Sequence, residues 1–116
     1  MISKTYSSII FLVFICLSSL SAQVSTSKKQ TISIKTNSVC GICKDEIESA
    51  IRNNLKGIIY AYHDNDSKIL TVKYKTKKTS ADAIRKAVTL AGYDADDLKA
   101  DPQAREKLDA CCRPPE

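Results

Sequence analysis

Aromatic residues, histidine and proline are scarce in this sequence of 116 residues. It contains no tryptophan, two phenylalanines, five tyrosines, one histidine and three prolines. Basic residues outnumber acidic ones by 18 to 13, but aromatic side chains are not interleaved with them as they are in many nucleic-acid-binding surfaces. The composition therefore argues against nucleic-acid binding, and we expect the excess positive charge to lie on a solvated surface.

The sequence has a single long apolar run, and it lies near the first residue. Residues 9–17 are apolar, Lys4 precedes them, and small residues lead to Ala22. The run is shorter than the roughly 20 residues that span a bilayer, and no second run follows. This pattern is typical of a secretory signal peptide. We therefore expect residues 1–22 to be cleaved off and the rest of the chain to be secreted, into a periplasm or to the cell surface.

Four cysteines lie beyond this segment, and they form two close pairs. The pairs are Cys40 with Cys43 and Cys111 with Cys112. Exported proteins with four cysteines often contain two disulfides. A bridge within either pair would close a very small loop and so constrain the unfolded chain little. Bridges between the pairs stay open, but the spacing favours thiol chemistry, either soft-metal binding or redox exchange.

Hydrophobic periodicity predicts an α+β fold in the order βαββαβ. Alternating apolar residues predict strands over residues 31–35, 58–63 and 68–74, and helical spacing predicts helices over residues 43–54 and after a capping box of Thr79 and Asp82. Residues 93–95 would begin a short fourth strand. This order predicts a ferredoxin-like sandwich, with two helices on one face of an antiparallel sheet.

The predicted organisation has four parts. A signal peptide over residues 1–22 and a linker over residues 23–30 precede the domain at residues 31–96, and a cysteine-containing tail occupies residues 97–116. Asp101 and Pro102 are typical of a helix N-terminus. They predict a short helix that leads toward Cys111 and Cys112.

Cys40 and Cys43 flank the point where a loop becomes a helix, which suits a soft metal ion. Both sulfurs can converge there, and we expect the free N–H groups and the dipole of the helix to stabilise a thiolate on the second cysteine. Two thiolates suit Cu(I), or mercury by analogy, whereas Zn(II) prefers four ligands. An underfilled, exposed site would also allow a partner's thiol to enter during transfer.

Four short stretches resemble a known family in the order in which they occur. They are Cys40-Gly41-Ile42-Cys43, Ile47 with Ala50, Gly57-Ile58 and Ala91-Gly92-Tyr93. Together they resemble the heavy-metal-associated domain of periplasmic mercury-binding proteins, copper chaperones and metal-pumping ATPases. The resemblance runs from Thr31 to Ala95.

The resemblance implies a ferredoxin-like domain that binds one soft ion, Cu(I) or Hg(II), through Cys40 and Cys43. It implies a non-enzymatic carrier or scavenger that passes the ion to a metal-transporting membrane protein or another thiol-bearing carrier. We expect a monomer that contacts the membrane only through such a partner. Ser38 stands where the family usually has a methionine that tethers the metal loop, and Tyr93 corresponds to a residue near that loop.

The tail cysteines leave three interpretations open. Cys111 and Cys112 could reach the first pair and complete four sulfurs, which would admit Zn(II) or Cd(II) or offer a relay for a softer ion. They could instead form a disulfide, with each other or with the metal loop, or belong to an inert tail.

The competing function is a periplasmic thiol-disulfide oxidoreductase that uses the same two cysteines, Cys40 and Cys43. The element order, the lack of a tryptophan before Cys40 and the lack of a proline between the cysteines argue against it.

Other polar and aromatic residues have simpler interpretations than a binding site. We expect His63 to be a surface or partly packed strand residue. Tyr60, Tyr62 and Tyr74 suggest cross-strand packing, and Asp94, Asp96 and Asp97 suggest a solvated turn.

Overall fold

The computed structural model describes residues 28–115. The predicted signal peptide, residues 1–22, and residues 23–27 of the predicted linker lie outside the described residues. Within residues 28–115, none of the helices combines the length and the apolar character that crossing a bilayer requires.

Three antiparallel strands form the sheet, in the order β1-β3-β2. They are β1 (Lys29–Lys35), β2 (Ile58–Asp64) and β3 (Ile69–Lys75). Strand β1 begins at Lys29, two residues before the predicted start. In β3 the residues Leu70, Val72 and Tyr74 are buried, because alternate residues of a strand face the same side of the sheet.

Two helices cover one face of this sheet. Helix α1 (Gly41–Asn54) buries Ile47 and Ile51, and helix α2 (Ala81–Leu90) buries Ile84 and Val88. The core between helices and sheet consists mainly of aliphatic side chains, including Ile34, Leu70, Val72, Ile47, Ile51, Ile84 and Val88. The opposite face of the sheet is open and carries Tyr60 and Tyr62. The predicted ferredoxin-like arrangement is therefore confirmed.

The N-terminus of α2 differs from the prediction by one residue. Ser80 is the N-cap, and its Oγ accepts a hydrogen bond from the backbone N–H of Ala83 at 3.1 Å. The capping box that was predicted from Thr79 and Asp82 is therefore wrong. Ser80 and Thr79 are both good capping residues, so the sequence alone does not choose between them.

A turn occupies the place of the predicted fourth strand, which is absent from the described residues. Asp96 lies beside β1, where its backbone N–H donates to the carbonyl of Lys35 at 2.9 Å. The N–H of Lys35 donates in return to Asp96 Oδ1, also at 2.9 Å. Asp96 has a φ of 52°, so the chain is not extended there. A carboxylate replaces the backbone acceptor that a neighbouring strand would provide.

The tail folds back onto the domain through helix α3 (Pro102–Glu106) and a 3₁₀ turn (Ala110–Cys112). The Asp101 carboxylate caps α3 by accepting from Ala104 N–H at 3.0 Å, as Asp101-Pro102 predicted. The Asp101 N–H donates to the carbonyl of Thr89 at 2.9 Å, which ties the tail to α2. Leu108 packs against the core, so this segment is an integral part of the packed structure.

Candidate metal centre

The first two candidate ligands lie at the N-terminus of α1. Cys40 is the N-cap residue, with extended backbone (φ −147°, ψ 168°), and Cys43 is in the first turn. Residues three apart on a helix share one side, so the two sulfurs converge. Their Sγ atoms are 3.1 Å apart, and both thiols are free. Cys43 is fully buried while Cys40 is partly exposed, so the pair is accessible from the side of Cys40.

A third sulfur comes from the tail. Cys112 Sγ is 3.3 Å from Cys40 Sγ, and the Cys112 side chain is fully buried. The Sγ atoms of Cys40, Cys43 and Cys112 all lie within 4.8 Å of one another. Three thiols thus converge on one point, from positions 40, 43 and 112 of the sequence.

Cys111 does not join this group. Its side chain is exposed and its Sγ is 3.9 Å from that of Cys112. From the sequence, Cys111 and Cys112 were expected to act together. The structure brings only Cys112 close to Cys40, in the loop that precedes α1. Neighbours in a short 3₁₀ turn point in different directions, which explains why the pair divides.

The three thiols differ in acidity because their surroundings differ. Hydrogen bonds from the thiols of Cys43 and Cys112, with smaller contributions from the nearby N–H groups of Cys43 and Ile42, lower the pKa of Cys40. Burial raises the pKa of Cys112, and its hydrogen bonds with Cys43 and Cys40 add to that effect. The partly exposed Cys40 is therefore the thiol that ionises first of these two, and thiolate is the form that binds metal.

Tyr93 lies against the first two turns of α1, next to Cys43. It is fully buried, and its hydroxyl donates to Glu46 Oε2 at 2.8 Å. Burial raises the pKa of Tyr93, and hydrogen bonding to Cys43 and Glu46 raises it further. The phenol therefore stays neutral, next to Cys43, as a fixed hydrogen-bonding group.

Ser38 belongs to a buried polar cluster below the metal loop. Its Oγ lies 3.1 Å from His63 Nε2, and Thr36 Oγ1 lies 2.8 Å from the same nitrogen. Thr36 Oγ1 also contacts the carbonyl of Lys68 at 3.0 Å. A hydroxyl has one proton and a carbonyl only accepts, so Thr36 donates to Lys68 and the imidazole donates to Thr36. Ser38, at the position where the resemblance predicts a methionine, is therefore part of a hydrogen-bonded network.

His63 is more deeply placed than the sequence suggested. It is fully buried, whereas a surface or partly packed position was expected. Burial lowers its pKa below the ordinary 6.5. The available signal was period-two alternation, because His63 lies two residues after the buried Ala61 on the same face of β2.

The remaining candidates have structural roles. The Asp94 carboxylate accepts from Ala100 N–H at 2.8 Å, and Asp96 accepts from Arg85 Nε at 2.9 Å. Asp97 is exposed. Tyr74 is buried, as cross-strand packing requires, whereas Tyr60 and Tyr62 lie on the open face of the sheet.

Comparisons with known proteins give matches among solved structures alone. No protein-family model matches the chain, and no curated protein does. The CopZ metallochaperone is 27% identical, with a TM-score of 0.53, and the alignment covers 57% of this chain and 98% of that one. Oxidized MerP from Ralstonia metallidurans CH34 is 23% identical (TM-score 0.54), with 59% and 94% covered.

A third match is the N-terminal domain of a potential copper-translocating P-type ATPase from Bacillus subtilis, solved in the Cu(I)-loaded state. It is 23% identical (TM-score 0.54), with 59% of this chain and 85% of that one covered. These matches have the same fold, and they confirm the resemblance predicted from the sequence.

Proposed function

We propose that this chain, which has the fold of the heavy-metal-associated domains, is an exported carrier or scavenger of one thiophilic metal ion. The observation that carries the proposal is the pair of free sulfurs, Cys40 and Cys43, 3.1 Å apart at a helix N-terminus. The fold's solved relatives include a metallochaperone and a Cu(I)-loaded ATPase domain. Cu(I) and Hg(II) are the ions that we propose as cargo, because both accept few, soft ligands.

Capture begins at the accessible thiol. Cys40 is partly exposed and has a lowered pKa, so its thiolate meets the ion first. Cys43 then loses its proton to solvent and supplies the second metal–sulfur bond. No redox change of the ion is needed, since the protein exchanges protons for metal.

Transfer requires a partner that presents thiols to the exposed side of the site. Val39 and Ile42 flank Cys40 and are 43% and 55% exposed, which gives a partner an apolar surface beside the ion. We propose a metal-transporting membrane protein or another thiol-bearing carrier as this partner. The domains of P-type ATPases among the solved relatives support that choice.

A competition titration tests the proposal. The reduced protein is titrated with Cu(I) against a chromophoric chelator, and in parallel with Hg(II). We expect one ion per chain, and we expect Cys40→Ser or Cys43→Ser to weaken binding strongly because each removes half of the pair. Cys111→Ser is the matched control, since that thiol is exposed and outside the cluster.

Two results would contradict the proposal. Unchanged affinity in both the Cys40 and Cys43 variants would show that the ion binds elsewhere. Measurable turnover in an insulin-reduction assay, lost in the same variants, would instead favour the oxidoreductase.

A further inference from the structure

The tail holds Cys112 at the metal loop through several independent contacts. The backbone N–H of Asp101 donates a hydrogen bond to the carbonyl of Thr89 in α2, and Leu108 packs against the core. Arg113 Nη2 donates to the carbonyls of Glu106 at 2.9 Å and Leu108 at 3.3 Å, which closes the end of α3 onto the turn that follows. These contacts fix the position of Cys112 before any ion is bound.

Gly92 makes this close approach feasible. A Cβ at this position would lie 2.9 Å from Leu108 Cδ1 and 3.1 Å from the Ala104 carbonyl oxygen. The separation from Leu108 is too short for two carbon atoms in contact, and the separation from the Ala104 oxygen is tighter than an ordinary contact. The absence of a side chain at Gly92 therefore lets the tail lie close to the end of α2.

We propose that Cys112 is a third ligand, so that this chain holds its soft ion in a three-thiolate site completed by its own tail. The inference rests on the proposed function and specifies how the same site is built. It follows from the convergence of three free sulfurs, from the complete burial of Cys112, and from the docking that holds it there.

The spacing of the sulfurs is close to what such a site needs. Metal–thiolate bonds of about 2.3 Å in a trigonal plane place the sulfurs about 4.0 Å apart. The distances from Cys40 Sγ are 3.1 Å to Cys43 and 3.3 Å to Cys112. Each pair has to separate by less than about 1 Å, which side-chain rotation can supply. Each thiol that binds releases its proton to solvent.

A three-thiolate site changes how the ion leaves. Cys43 and Cys112 are fully buried and only Cys40 is partly exposed, so a partner's thiol approaches from one side. An incoming thiol would therefore displace Cys40 first, because the other two sulfurs are buried. Cys43 and Cys112 would hold the ion until further thiols arrive, so the tail would slow release.

The test compares Cys112→Ser with Cys111→Ser in the reduced protein. X-ray absorption of the Cu(I)-loaded forms counts the sulfur neighbours, and we expect three in the wild type and in Cys111→Ser but two in Cys112→Ser. Replacing the third ligand should weaken Cu(I) binding at least about tenfold, since even outer-shell partners of metal ligands contribute about 10- to 100-fold. Release to a competing chelator should be faster by a similar factor.

A second variant separates ligation from docking. Leu108→Ser retains all three thiols and weakens only the packing of the tail, so it should release Cu(I) faster than the wild type while still binding one ion. Circular dichroism checks that each variant is folded.

The results distinguish the two proposals. Two sulfur neighbours in the wild type, or equal affinity and release in Cys112→Ser and Cys111→Ser, would overturn the three-thiolate site and leave the carrier function intact. Absence of Cu(I) or Hg(II) binding by the wild type would overturn the carrier function itself.

Discussion

The polar cluster below the metal loop shows what individual residues contribute to the position of the ligands. Ser38 and Thr36 lie in the segment that leads to Cys40, and both contact the imidazole of His63. Both contacts are made by Nε2, whereas the buried Nδ1 of His63 has no hydrogen-bond partner among the described residues. Losing a partner of a buried polar group is costly. The loop is therefore anchored to β2 through one histidine.

We expect the metal-free protein to lose stability as the pH falls below about 6.5, the ordinary pKa of an unfolded histidine. The folded pKa of His63 is lowered by burial, so the unfolded chain takes up a proton first. Lys44 lowers this pKa as well, whereas Asn65, Glu48 and Asp64 raise it. The free energy of unfolding should fall by up to about 1.4 kcal/mol per pH unit, until the folded pKa is reached.

Denaturant unfolding of wild type and His63→Gln between pH 5 and 8 measures this effect. The difference between the two proteins isolates His63, because all cysteines and carboxylates are common to both. Parallel pH profiles would contradict the prediction.

At the scale of elements, α1 protects the free edge of the sheet. Strand β2 is an edge strand, and unpaired backbone groups on such strands can pair with other chains. Glu48 Oε1 accepts from the backbone N–H of His63 at 2.8 Å, and Arg52 Nη1 donates to the carbonyl of Ala61 at 3.4 Å. Glu48 is itself paired with Lys44 and Arg52. Side chains of α1 thus complete hydrogen bonds that the edge would otherwise lack.

Glu48→Ala should reduce the free energy of unfolding by about 1–3 kcal/mol, because it leaves a buried N–H without its acceptor. Glu48→Gln keeps a carbonyl oxygen in reach and should cost less. The matched control is Ser49→Ala, an exposed neighbour on the same helix, which should change stability by less than about 0.5 kcal/mol. Equal stability of the Glu48→Ala and Ser49→Ala variants in urea unfolding would refute the role of Glu48.

The elements show how far the sequence could predict the fold. Strands and helices were predicted correctly where the spacing of apolar residues reflects which side chains are buried, as in β3 and α1. The predicted fourth strand is wrong because a contact between residues far apart in the sequence sets the local conformation. There the Asp96 carboxylate, instead of a continuing strand, accepts the hydrogen bond from Lys35.

The candidate site likewise has features that the local sequence predicts and features that depend on long-range packing. Cys40 and Cys43 could be paired from their spacing, and their role as metal ligands stays a prediction. The approach of Cys112 depends on the path of the tail, and the burial of His63 depends on which face of β2 meets the helices. The approach of Cys112 cannot be read from neighbouring residues, whereas the burial of His63 follows from its alternation with Ala61 once the inward face of β2 is known.

At the scale of the whole molecule, the tail and the domain form one packed unit, and Gly92 is one point at which they approach closely. Gly92→Ala should destabilise the fold by about 2 kcal/mol, because φ is +103° and a Cβ would collide with Leu108. Gly41→Ala is the control, since its Cβ would meet only Asn65 Nδ2 at 3.8 Å. That change should be neutral or slightly stabilising within a helix.

Thermal unfolding of the two alanine variants measures the difference. Leu108→Ala should cost less stability in the Gly92→Ala background than in the wild type, since in that background it also removes one partner of the collision. Equal melting temperatures for the two single variants would show that the tail does not press on Gly92.

The contact between Cys40 and Cys112 joins positions 72 apart in the chain. An ion shared by these two residues would act as a cross-link, and a covalent link of that span is worth about 4 kcal/mol in chain-entropy terms. The bound ion would then stabilise the folded chain, and transfer of the ion to a partner would lower the stability of the protein that released it. A protease would digest the emptied protein faster than the loaded one, so the lifetime of each molecule would depend on whether it still holds its ion.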